Sequence, residues 1–287
     1  MGEKRNCQCY FDIETEKQIV ADYVKGEGGT SYLAKKYHAP SVGTIFSILK
    51  AHNVPRRSLS EARRIACGYT VDETVFERID TREKAYWLGM MYSDGYISCI
   101  SPYTKVFGLS AHERDKDIIE KFKNFLNYSG AIGNYETTGG YKAGTKYSRI
   151  VVGNNKIVED LQRHGLPEHK SLILKAMPDI FYKDDFVRGV IDGDGSITKK
   201  LGLLAISGTH DFLLSIAEYF GLPYRLTPDR SIWCLAYNAQ ESRYITTRLY
   251  QNAPVYLNRK YELAKRYFNS PVTLEDVIAK SELQGKS

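Results

Sequence analysis

Nowhere in the 287 residues does an apolar run approach the roughly 18–20 residues that cross a bilayer. The start, Met-Gly-Glu-Lys-Arg-Asn, also lacks the apolar stretch of a secretory signal. A soluble, intracellular protein is expected, cytoplasmic for want of a targeting peptide. Cysteine is scarce. Cys7, Cys9, Cys67, Cys99 and Cys234 are odd in number, scattered and without C-x2-C spacing, which excludes a disulfide framework and a structural zinc site. Charge of one sign is not dominant either: 40 Lys+Arg against 34 Asp+Glu leave +6. With 43% hydrophobic residues the chain has enough apolar surface to fold, so disorder is excluded as its main state. Its length suits one large domain or two small ones.

The surplus of positive charge is uneven. Residues 81–270 hold 26 basic and 20 acidic side chains, whereas residues 1–80 are nearly balanced apart from a cluster of Lys50, Arg56, Arg57, Arg63 and Arg64 against Glu61. Such a cluster suits a segment lying along phosphates; the alternative is a solvated basic linker. Just before it three short helical patterns are legible. Ile19, Val20, Tyr23 and Val24 mark the first, which stops at Gly26-Glu-Gly-Gly29. Thr30 is expected to cap a second running through Leu33 and Tyr37. After His38-Ala-Pro40, Ser41 is a good N-cap for a third helix that buries Ile45, Ile48 and Leu49. Val42, Gly43, Thr44, Ser47 and Lys50 are then expected to face outward, where small side chains let a helix sit deep in a major groove. The stretch Thr30–Lys50 resembles the helix-turn-helix of resolvases and transposases. A plain three-helix bundle without DNA contact is the alternative reading.

The most informative feature is an internal repeat of 100 residues. Asp80-Thr-Arg-Glu-Lys-Ala-Tyr-Trp-Leu-Gly-Met-Met-Tyr-Ser-Asp-Gly-Tyr-Ile aligns with Asp184-Asp-Phe-Val-Arg-Gly-Val-Ile-Asp-Gly-Asp-Gly-Ser-Ile. Gly89 falls on Gly189, Asp94 on Asp194 and Gly95 on Gly195. Phe107–Glu113 parallels Leu204–His210. His169-Lys170 with Lys175 parallels Arg259-Lys260 with Lys265. Each copy reads helix, hairpin, helix, then more strand and helix. Strands are expected at Tyr96–Ile100, Val106–Ser110 and Ser148–Val152, and again at Ser196–Thr198, Leu203–Ser207 and Ile232–Tyr237.

In each repeated helix small residues four apart, Gly89 with Ser93 and Gly189 with Gly193, share a face on which two backbones can meet. Asp80 or Thr81, and Asp184, are placed to cap the amino ends, and Gly95 and Gly195 to stop the helices in the left-handed conformation. Asp94 and Asp194 then stand side by side at the carboxyl ends. There the helix terminus carries about half a negative charge and disfavours each acid by ~0.3–1 kcal/mol, while the carboxylates repel each other. A compensating hard divalent ion with oxygen ligands is expected, Mg2+ by preference. Two ordinary solvated Asp-Gly turns are the alternative, and the register of the duplication argues against it.

At these residues the sequence resembles the LAGLIDADG homing endonucleases. Trp87-Leu-Gly-Met-Met-Tyr-Ser-Asp-Gly95 and Val187-Arg-Gly-Val-Ile-Asp-Gly-Asp-Gly195 look like the two copies found in single-chain members, and the likeness covers about residues 81–270. It implies an α/β (α+β) fold of two pseudosymmetric αββαββα halves, joined at the motif helices, with antiparallel saddle-shaped sheets lying in the major groove. It implies metal-dependent hydrolysis of both DNA strands at a long, rare site. Asp94 and Asp194 match the family's metal-ligating acids, and the backbone carbonyls of Ser93 and Gly193 its supplementary ligands. Lys170 and Lys260 match its basic residue near the reacting phosphate. Ca2+ is expected to bind without supporting cleavage. Tyr92 departs from the pattern, standing where Asp192 stands in the second copy.

The expected organisation is therefore a helix-turn-helix domain (1–54), a basic linker (55–80), a duplicated nuclease domain (81–270, halves 81–177 and 178–270) and a tail (271–287) with one short amphipathic pattern. Double-stranded DNA is the expected partner of a monomer, without an obligate protein partner. Lys105, Lys142, Lys146, Arg149, Lys199, Lys200, Arg225 and Arg230 lie on or beside the expected hairpins and are candidates to touch phosphates or guanine edges. None of the 22 tyrosines is assigned a stacking role. The ends, Met-Gly and Gln-Gly-Lys-Ser, lack the splicing residues of an intein, so a free-standing protein is expected. The rival readings are a non-cutting transcription regulator on the same fold and an RNA maturase.

Overall fold

Apolar residues at helical spacing form the first three helices where the sequence places them: α1 (Ile13–Lys25), α2 (Thr30–Lys36) and α3 (Val42–Ala51). In the computed structural model, which describes residues 10–57, 61–62, 68–101, 104–138, 143–199 and 202–284, these helices belong to the first of two compact units, Met1–Val71 and Asp72–Ser287. Ile19, Tyr23, Leu33, Ala34, Ile45, Ile48 and Leu49 form the core of the small unit. Asp12 caps α1 and Ser41 caps α3. Thr30 is not a cap: extended Gly29 takes that position and Thr30 opens the helix. Buried Asp22 accepts hydrogen bonds from Gln18, Lys36 and Tyr37, and these bonds hold its pKa down to about 2.

The second unit repeats one plan. Its first half comprises α4 (Arg82–Tyr92), β1 (Gly95–Ser101), β2 (Thr104–His112), α5 (Lys116–Phe125), β3 (Gly133–Glu136), β4 (Lys146–Gly153) and α6 (Asn155–Arg163). The second comprises α7 (Lys183–Asp194), β5 (Gly195–Ile197), β6 (Leu204–Gly208), α8 (His210–Phe220), β7 (Arg225–Asp229), β8 (Ile232–Ala236), α9 (Ala239–Tyr250) and α10 (Asn258–Ala264). A last helix, α11 (Leu274–Gln284), follows and buries Val277. Each half has one four-stranded antiparallel sheet, in the orders β1-β2-β4-β3 and β5-β6-β8-β7. Alternation settles the faces. Phe107, Leu109, Ala111, Ile150 and Val152 are buried against the helices, which leaves Ser110, His112, Tyr147, Arg149 and Val151 on the open face.

The halves join where α4 and α7 cross. Their backbones touch: Gly189 Cα lies 3.1 Å from where a Cβ on Gly89 would stand, and a Cβ on Gly189 would press on Met90 N at 2.8 Å. Only glycine fits there. Arg82 bonds Asp185 across the seam at 3.0 and 3.2 Å, and Arg259 bonds Asp115 at 2.9 and 3.0 Å. Thr81 caps α4, but Asp184 does not cap α7; it accepts from Tyr219 and Arg248 instead, because the helix begins at Lys183 after an uncapped Tyr182. Nor are Gly95 and Gly195 left-handed stops. Gly195 is extended (φ −89, ψ 166), and both glycines open strands β1 and β5. They are needed because a Cβ at either site would strike the preceding helical turn, Met91 in one half and Ile191 in the other.

Candidate active site

The two motif helices bring Asp94 and Asp194 to neighbouring helix ends, each one residue before a strand and each with an exposed edge. Burial of the rest of the carboxyl, and after it the charge of Asp194, push the pKa of Asp94 up to about 6 against the pull of Lys260 and Lys170. Burial also raises Asp194, opposed first by Lys170 and then by Lys260. The pair thus resists carrying two charges until something cationic joins it.

Lys170 and Lys260 approach the same helix ends from opposite halves, and their surroundings differ. Lys260 is 2% exposed, and its ammonium donates to the carbonyls of Asp192 (2.7 Å), Gly195 (2.7 Å) and Gly193 (3.4 Å) as well as to Ile191. Three N–H groups facing four acceptors are fully used, so Lys260 acts as a cap on the carboxyl end of α7. The ammonium of Lys170, in a short 3-10 turn (Lys170–Leu172), donates to Ser93 O, its one partner among the described residues. Burial lowers the pKa of both lysines, and the two aspartates pull Lys170 back up. The carbonyls expected as supplementary metal ligands, those of Ser93 and Gly193, are therefore the ones the lysines touch.

Three supporting groups escaped the sequence reading. Asp192 is fully enclosed and accepts from Tyr86 OH (2.8 Å), Tyr250 OH (2.6 Å) and Leu257 N (2.7 Å), fixing the start of the helix that carries Lys260. Arg188, wholly buried, ties α7 to Leu249 O and Val255 O and pairs with Asp185 one turn earlier in the same helix. In the first half Tyr92 replaces the acid and donates to His164 O at 2.7 Å, which reverses the polarity of that contact. The third group, the Asp115–Arg259 pair, lines a cavity of about 510 Å3 together with Asp94, His112, Tyr147 and Gly193. The signals in the sequence were the motif position shared by Tyr92 and Asp192 and, for Arg188, an arginine inside an apolar helix pattern; neither names a partner.

Among the described residues no cluster of three or more His, Cys, Asp or Glu side chains is arranged to hold a metal. Two carboxylates with backbone carbonyls and open access suit a hard, water-retaining ion and not zinc. The raised pKa sets a testable sign. Asp94 binds its proton more tightly folded (about 6) than unfolded (3.8), so its charge opposes folding above pH 6, and the effect fades as pH falls towards 4. Asp94→Asn is expected to raise Tm by a few degrees at pH 7.5 in EDTA, with no gain at pH 3.5. Calorimetry across that range would show equal gains at both pH values if the carboxyl were unperturbed.

The other candidate residues are spread out. In the small unit Ser41, Gly43, Ser47 and Lys50 are exposed and Thr44 half-exposed along α3, whereas Val42 packs partly against the core because it lies one turn before Ile45 and Phe46. Arg56 lies over the Phe46 ring at 4.0 Å. Arg57 is not a free phosphate contact: its guanidinium sits 4.0 Å over Tyr23 and donates to Gly28 O. Arg63, Arg64, Lys142 and Lys200, like Cys7, Cys9 and Cys67, fall outside the described residues. Lys105 is turned away from the open sheet face, since it shares the parity of Phe107 and pairs with Glu159 on α6 at 2.8 Å. Lys146 starts β4 and Arg149 stands on its open face. Lys199 is in an exposed loop, Arg225 is on the outer strand β7, and Arg230 (φ 55) is at the tip of its hairpin.

No protein-family model matches the chain, and no curated protein does. Among solved structures it is similar to meganuclease I-SmaMI bound to uncleavable DNA (13% identity, 70% of this chain and 97% of that one, TM-score 0.44). It is similar also to the LAGLIDADG meganuclease I-AabMI bound to uncleaved DNA (14%, 68% and 95%, 0.43) and to the LAGLIDADG homing endonuclease I-LtrWI bound to target DNA (12%, 75% and 98%, 0.44). At these values the likeness is one of outline.

Proposed function

We propose that the protein is a site-specific double-strand DNA endonuclease of the LAGLIDADG type, acting as a monomer with a divalent ion, Mg2+ by preference. The observation that carries this reading is the convergence of two open-edged carboxylates and two lysines on the ends of the paired glycine-faced helices. A protein that only binds DNA gains nothing from acids clustered where phosphates would come. Asp94 and Asp194 would hold the ion, and the carbonyls of Ser93 and Gly193 would join them through the lone pair that the lysine contact leaves free. When bound, such an ion favours ionisation of the attacking water and stabilises the departing oxygen. Lys170, with N–H groups to spare, offsets charge developing on the phosphate, and Lys260 keeps the end of α7 in place. The open sheet faces and the helix-turn-helix supply the reading surface.

The reading is tested by offering the protein a pool of duplexes with a randomised 40-base-pair stretch and sequencing the cut ends formed in Mg2+ or EDTA. Ends of defined sequence in Mg2+ alone are expected. Tight binding in both without cutting would instead indicate a regulator, and preference for a structured RNA a maturase. The helix-turn-helix is proposed to lengthen the bound site. Deleting residues 1–54 should weaken affinity and flatten its dependence on salt, by about one unit of slope for each phosphate no longer neutralised, while cutting survives. An unchanged salt slope would mean that the small unit does not touch DNA.

A further inference from the structure

The shared register of the two sheets makes their open faces comparable position by position. Gly95 opposes Leu109 and Gly195 opposes Ile206; Leu109 in turn opposes Ile150 and Ile206 opposes Leu235. Arg149 on the inner strand β4 therefore corresponds to Cys234 on β8, and Tyr147 to Ile232. On the outer strands Tyr135 corresponds to Asp229. Next to the helix ends, Tyr96 corresponds to Ser196. The repeat keeps the scaffold and changes the chemistry of the face.

In the first sheet the exposed Arg149 guanidinium lies 4.9 Å from the Tyr135 ring, and that ring stacks on Tyr147 at 5.4 Å and 16°. His112 meets the edge of Tyr147 at 5.7 Å. Arg149 donates to no side chain among the described residues, so its planar fork stays available. An arginine already held on a ring loses less freedom on binding than a solvated one. The arrangement is continuous with the carboxylates, since Ser110, His112 and Tyr147 line the cavity that also holds Asp94. The second sheet offers Ser196, Ala205, Ser207, Cys234 and Ala236 at the matching inner positions, none of them able to reach a base edge as a long donor. Its open-face cation, Arg225, stands on the outer strand, and no ring holds it among the described residues.

We infer that the two half-sites are read by unlike chemistry. Arg149, braced by Tyr135, makes the sequence-deciding contact of the first half by donating to O6 and N7 of a guanine in the major groove, and the second half contributes little direct base readout. This rests on the DNA-cutting reading above. A bidentate arginine–guanine contact discriminates by about 10- to 100-fold against the other base pairs.

The test uses the full chain and a randomised duplex pool selected for binding in Ca2+, with Arg149→Ala and Arg149→Lys in parallel. Because Arg149 is exposed, both variants should fold. Wild type is expected to enrich one half-site more sharply than the other, with one G·C pair near the centre of the sharper half. Arg149→Ala should lose the 10- to 100-fold preference at that pair and leave the other half-site unchanged, and lysine should not restore it. Replacing that guanine by 7-deazaguanine should weaken wild type and leave Arg149→Ala unaffected. Equal enrichment of both half-sites, or an Arg149→Ala motif identical to wild type, overturns the inference while the nuclease reading stands if Mg2+ cutting persists. Absence of any enrichment overturns both.

Discussion

Asp94→Asn or Asp194→Asn is expected to reduce double-strand cleavage by at least about 10^3-fold, while duplex binding in Ca2+ stays within about threefold of wild type. The amide keeps the size of the carboxyl and its place at the helix end, so packing is preserved. It removes the negative charge that would hold a cation, and in Asp194→Asn it also relieves the repulsion that helps to raise Asp94. Under the proposed function binding is spread over the open sheet faces and the small unit, away from these two groups, and should change little. Gel assays of cutting and of binding on one duplex separate the outcomes. A parallel fall in both would show that the acids shape the DNA surface and do not act on the phosphodiester.

Gly89→Val and Gly189→Val should each cost more than ~4 kcal/mol and yield protein that does not hold its two halves together. Added atoms in a core usually cost ~1–3 kcal/mol because a neighbouring side chain can move aside. Here the obstacles are main chain, the Phe186 carbonyl for one glycine and the Tyr86 carbonyl for the other, so relief requires separating α4 from α7. Such separation would also pull Ser93 away from Gly193 and move both acids. Gly29→Ala, where nothing lies within 4 Å, is the control and should change stability by no more than about 1 kcal/mol. Urea unfolding of the three variants gives the comparison; a Gly89→Val protein as stable as the control would mean that the helices do not pack through these glycines.

Much of this was legible beforehand, for reasons local to the chain. The repeat, the small residues four apart, Ser41 as a cap and the apolar stripe of α3 are all set by neighbours a few positions away. What was missed depends on distant partners. Gly133-Asn-Tyr-Glu and Arg225-Leu-Thr-Pro-Asp are outer strands, short and polar, and Pro228 argues against a strand unless the edge is known to be free. Gly95 and Gly195 read as helix stops because Asp-Gly favours a turn. That the chain runs straight into a strand is decided by the sheet that receives it. The difference between Lys170 and Lys260, identical in the repeat, arises because the second half has Asp192 to order the turn before Lys260 while the first has Tyr92. Arg188 had no assignable partner in the sequence, since the carbonyls that receive its guanidinium come from the end of α9 and the loop after it, some 60 residues on.

The short passage from helix to strand, through the Ser93-Asp94 turn in the first half and directly at Asp194-Gly195 in the second, has a practical consequence for redesign. The acid immediately precedes the first residue of the sheet, so under the proposed function the strands that would meet a duplex and the tip that would act on it form one stiff lever on each side. Retargeting the protein by altering strand side chains would tilt that lever and be felt as a change of turnover, even at positions that never approach the severed bond. Selections for new sequence preference should accordingly score speed and choice together.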